Sequence, residues 1–77
     1  MAKSKFRFNL MSYNRYTDSF YLLQSFRTLK SAKEWMWDEI LDWLHIGFCV
    51  QNRTEMSVRM KDGMGNIAAY RIERIAA

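Results

Sequence analysis

The chain has 77 residues, 49% of them hydrophobic and 16% aromatic, and its twelve basic and eight acidic residues leave a formal net charge of +4. That length predicts a single domain over residues 1–77, and so many aromatic residues exclude a disordered chain. The absence of proline and the presence of only three glycines exclude collagen-like and linker-like sequences. One cysteine cannot close an internal disulfide, and no apolar run is long enough to act as a signal peptide or a membrane span, so a cytoplasmic protein without membrane association is expected.

The first segment, from Lys5 to Leu10, alternates strictly, which is the period-two signal of a half-buried strand. Phe6, Phe8 and Leu10 fall on one face, and Lys5, Arg7 and Asn9 on the other. Asn14–Asp18 breaks the pattern and reads as a turn. Phe20–Phe26 follows with apolar residues on both faces, the pattern of a central strand. Ser31 followed by Glu34 has the spacing of a capping box, so a helix is expected from Ala32 to about Phe48. On a helical wheel Met36, Trp37, Ile40, Trp43 and Leu44 occupy one half-circle, and Glu34, Asp38, Glu39 and Asp42 the other. Gly47 supplies a stop.

Gln51–Arg53 is a short polar stretch, after which alternation returns. Met56, Val58 and Met60 face one way, and Ser57, Arg59 and Lys61 the other. Asp62-Gly63 is a hairpin turn signal, and a last strand from Ile67 to about Ile75 sets Tyr70 and Ile72 against Arg71 and Glu73. The expected fold is therefore α+β. Its order is ββαββ, with one antiparallel sheet of about four strands and a single helix packed across one face.

Charge is unevenly distributed along this plan. Residues 1–33 hold seven basic residues and one acidic one, and residues 34–48 hold four acidic residues and no lysine or arginine. A sheet covered on one side would present Lys5, Arg7, Arg27, Arg59, Lys61 and Arg71 on its open face, joined by Tyr21. Cations among rings suit a nucleic acid, because the cations neutralise phosphates while the rings stack on bases. The same residues also serve simply to keep a solvent face soluble. On the helix, Trp35 lies among Asp38, Glu39 and Asp42. Exposed, it would anchor a protein partner with a basic surface; otherwise it packs against a strand end.

Catalytic chemistry is sparse. His45 and Cys49 are four residues apart, with Asp42 three residues before the histidine, but these are too few ligands for a closed zinc site. Cys49 is expected to be a small buried apolar residue. No metal, cofactor or catalytic group is expected. The profile is that of a small binding protein, an inhibitor or regulator of a macromolecular partner. It is similar in style to phage-encoded accessory proteins that inhibit host enzymes and defence systems. A protein partner is favoured, with DNA or RNA as the alternative, and pairing of sheet edges would give a homodimer.

Overall fold

The computed structural model describes residues 6–76. Five strands and one helix follow in the order β1 (Phe6–Asn14), β2 (Ser19–Phe26), α1 (Leu29–His45), β3 (Cys49–Thr54), β4 (Ser57–Lys61) and β5 (Ile67–Ala76). All strands pair antiparallel in one sheet of order β2-β1-β5-β4-β3, so the first and last strands lie side by side at its centre. The α+β architecture is the expected one, with one strand more than the four read from the sequence.

The extra strand is β3, in place of the polar stretch at Gln51–Arg53. It lies at the sheet edge, and all six of its residues are exposed. With neither side buried, it has no alternation of apolar residues to reveal it. β2, expected at the centre, forms the opposite edge. Its two-sided apolar pattern arises because Phe26 packs against the core beneath the helix while Phe20 meets Tyr13 on the uncovered side. Pairing of each edge strand shifts register, β2 with β1 at Leu10/Met11 and β3 with β4 at Val50/Asn52. Such irregularities blunt the edges against further strand addition.

The helix begins three residues before the expected Ala32. Thr28 is its N-cap, in extended conformation, and its side chain accepts a hydrogen bond from the Ser31 amide at 3.1 Å. Ser31 is thus the third helical residue and not the cap. The C-terminus follows the sequence closely. Gly47, at φ +107°, donates to the Leu44 carbonyl, and Phe48 donates to that of Trp43. This is a Schellman stop, and its usual apolar contact is the edge-on packing of Phe48 against Trp43 at 4.7 Å.

The core lies between the helix and one sheet face. Leu10, Ala32, Ile40 and Met60 are fully buried, with Met36, Val58, Ala68, Tyr70 and Ile72 around them. On α1 the buried line is Ala32, Met36 and Ile40, at intervals of four residues. Trp37 and Leu44, expected in the apolar half-circle, remain 40% and 37% exposed. A single helix on an open sheet touches it along a narrow line, and among the described residues no neighbouring helix covers its flanks. Trp37 is partly screened by the Arg53 guanidinium, 4.5 Å from its ring centre. Lys33 reaches Glu55 in the β3–β4 turn at 2.9 Å, tying the helix to that hairpin. Among the described residues no helix is long and apolar enough to cross a membrane.

Candidate binding surfaces

Directly paired residues of adjacent strands project to the same side. The register therefore defines the open face: Arg7 opposite Ile75, Met11 opposite Leu22 and Arg71, Tyr13 opposite Phe20, Arg59 opposite Ala69, and Lys61 opposite Cys49 and Ile67. Four expected cations, Arg7, Arg59, Lys61 and Arg71, thus share this face. Arg59 lies diagonal to Arg71, about 7–8 Å away by strand geometry. Lys61 is about 7 Å further along β4, and Arg7 lies about 13 Å from Arg71 along the sheet.

One other member of the expected set does not join them. Arg27 sits in the connection between β2 and α1, outside the strands, because β2 ends at Phe26. Lys5 lies outside the described residues. Tyr21 also departs from expectation. It pairs with Ser12 and so faces the helix side, one residue out of phase with Phe20.

The aromatic members of the open face were missed in the sequence. Tyr13 and Phe20 pack with ring centres 5.5 Å apart. The Arg71 guanidinium lies 4.3 Å from the Phe20 centroid, and its other partner is Glu73 at 2.8 Å. The Tyr13 hydroxyl donates to Asp18 at 2.7 Å, and that bond is the main reason its proton is held above the usual phenol range. Asp18 reaches this position with φ +51° in the hairpin turn. Rings, Arg59, Arg71 and Asn52 line a shallow concavity of about 310 Å³. The available signal was Met11 and Tyr13, which continue the alternation of β1 opposite in phase to Leu10 and Ser12.

The expected helix site is divided. Trp35 is 42% exposed and packs edge-on against Phe26 at 5.4 Å, so it leans on the end of β2 while keeping one side in solvent. Asp38 and Asp42 are exposed. Glu39 is half-buried and turns toward a cavity of about 570 Å³ between the β1–β2 hairpin, the second half of α1 and the β4–β5 turn. Burial, then Asp42 and Asp38, raise its carboxyl above the ordinary glutamate range. Across the cavity Trp43 donates its indole N–H to the Tyr70 hydroxyl at 2.6 Å. Burial is the first cause that raises the Tyr70 proton, and Glu39 adds to it.

Cys49 is exposed, contrary to the expectation of a buried thiol, because it opens the uncovered edge strand β3. His45 is the last helical residue and is exposed. Among the described residues no cluster of three or more His, Cys, Asp or Glu side chains is placed to hold a metal ion. The chain matches no known protein family, no curated protein and no solved structure.

Proposed function

We propose that this is a small non-catalytic binding protein that takes a single-stranded nucleic acid on the open face of its sheet. The observation that supports this reading is the shared placement of Arg7, Arg59, Lys61 and Arg71 with the Tyr13–Phe20 ring pair. Cations there offset phosphate charge, and the rings offer platforms for unstacked bases. A duplex is a poorer fit. The helix carries Glu34, Asp38, Glu39 and Asp42, and a groove lined by phosphates would repel it. A regulatory or inhibitory role would be exercised by occupying such a strand.

The test is a fluorescence-anisotropy titration with single-stranded DNA and RNA and with the matching duplex. Binding to single strands in preference to the duplex, weakened by Phe20→Ala, is the expected result. Absence of binding even at low salt would overturn the reading and return a protein target to first place.

A further inference from the structure

The cavity on the helix side of the sheet has no part in that function. Its walls come from four elements: Ser12 and Tyr13 on β1, Tyr21 on β2, Tyr70 on β5, and Trp43 on α1 with Phe48 just beyond it. With Tyr13 and Tyr16, six aromatic side chains line a space within the ~300–1,000 Å³ range of small-molecule sites. Glu39, one turn before Trp43, places a carboxylate in this wall, close enough to act on the Tyr70 phenol. Among the described residues no cation forms an ion pair with Glu39, and no side chain hydrogen-bonds to it. Arg15 at the mouth is engaged elsewhere. It donates to Asn66 and to the Tyr16 hydroxyl, its guanidinium lies 5.0 Å from the Tyr16 ring centre, and Asp62 lies near it. With Arg15 balanced by Asp62, the lining carries one net negative charge, at Glu39.

Aromatic faces are negative at their centres and attract cations that shed water easily. A hydrated metal ion would find only one charged ligand here. An alkylated ammonium loses little hydration on entry and gains both the ring faces and the carboxylate. We propose that this cavity binds an organic cation of the alkylated ammonium class, with Tyr21, Trp43 and Tyr70 as the ring walls and Glu39 as the counter-charge. Tyr13 borders both this cavity and the open-face concavity, but Arg7, Phe20, Arg59, Lys61 and Arg71 do not line it, so variants of Glu39 and Tyr21 test this site separately from nucleic-acid binding.

The probe is choline, titrated against the assigned Trp43 indole N–H resonance. Its neutral carbon isostere, 3,3-dimethyl-1-butanol, and sodium chloride at equal ionic strength serve as controls. Choline should give a saturable shift and bind at least about tenfold more tightly than the isostere. Glu39→Gln should lose about tenfold in choline affinity with the melting transition retained. Tyr21→Leu, at a residue 49% exposed and therefore tolerant, should also weaken choline. A trimethyllysine peptide separates the sources of the group. Binding of the peptide as tight as that of choline assigns the ammonium to a polypeptide side chain, and exclusion of the peptide assigns it to a free small molecule. Equal binding of choline and its isostere, no saturable shift, or full choline affinity in Glu39→Gln would overturn the proposal.

Discussion

Removal of charge from the open face has effects of both signs that follow from the register. Arg59 and Lys61 share β4 and form no ion pair among the described residues, whereas Arg71 is held by Glu73 at 2.8 Å. A single strand contacting three or four cations should show a slope of log affinity against log salt of about −2 to −3. Between about 50 and 200 mM salt that slope weakens binding about 20–50-fold. Replacing Arg59 and Lys61 together by alanine removes two contacts and should cut the loss over that interval to about 3–7-fold. Both side chains project from the uncovered side, so the fold should persist. Glu73→Gln acts in the opposite sense, because it releases Arg71 to a phosphate. It should tighten binding at low salt and steepen the slope by up to about 0.7. Anisotropy titrations of one labelled oligonucleotide at four salt concentrations read all three slopes. An unchanged slope in the double variant, or weaker binding in Glu73→Gln, would refute the assignment of this face.

Other outcomes test the helix and its supports. Trp35→Ala removes the edge-on contact with Phe26 and should cost about 1 kcal/mol, lowering Tm by about 4–8 °C. An unchanged Tm would mark Trp35 as a purely surface residue. Tyr70→Phe removes the acceptor for the Trp43 indole N–H and should cost about 1–2 kcal/mol in a urea melt, whereas a neutral result would show that water replaces the bond. Acid should act in two directions. Asp62 is held below the usual aspartate range, first by the side-chain hydrogen bond from Asn66, so its stabilisation is present above its unfolded pKa and lost as pH falls through the folded one. Glu39 is raised, so it destabilises the folded state when ionised, and this cost fades as pH falls through its folded pKa. Asp62→Asn should therefore reduce the drop in Tm between about pH 6 and about pH 3, and an unaltered drop would remove Asp62 from the acid response.

Much of the fold was legible because alternation reports a half-buried strand directly. Leu10, Val58, Met60, Tyr70 and Ile72 were all assigned to the covered side from period two alone, and all are buried. The helix stop at Gly47 was legible because only a residue without Cβ takes φ +107° at little cost. The start was misplaced because Thr28-Leu29-Lys30-Ser31 competes with Ser31 and Glu34, and local sequence does not say which hydroxyl finds the free amide. Arg59, Lys61 and Arg71 were legible as one face because each lies out of phase with a buried neighbour, and Arg7 because it alternates with Phe6 and Phe8 in phase with the buried Leu10. Arg27 was not, since it follows the last residue of β2 and strand periodicity no longer applies.

The sequence by itself determined the class of the fold, the covered faces of β1, β4 and β5, and the separation of a basic sheet from an acidic helix. These depend on local periodicity and on charge along the chain. Tertiary structure decided the strand order, the edge positions of β2 and β3, and the meeting of Tyr21, Glu39, Trp43 and Tyr70 around one cavity. Those residues come from three elements, and which strands become neighbours depends on long-range pairing and packing that no local pattern encodes.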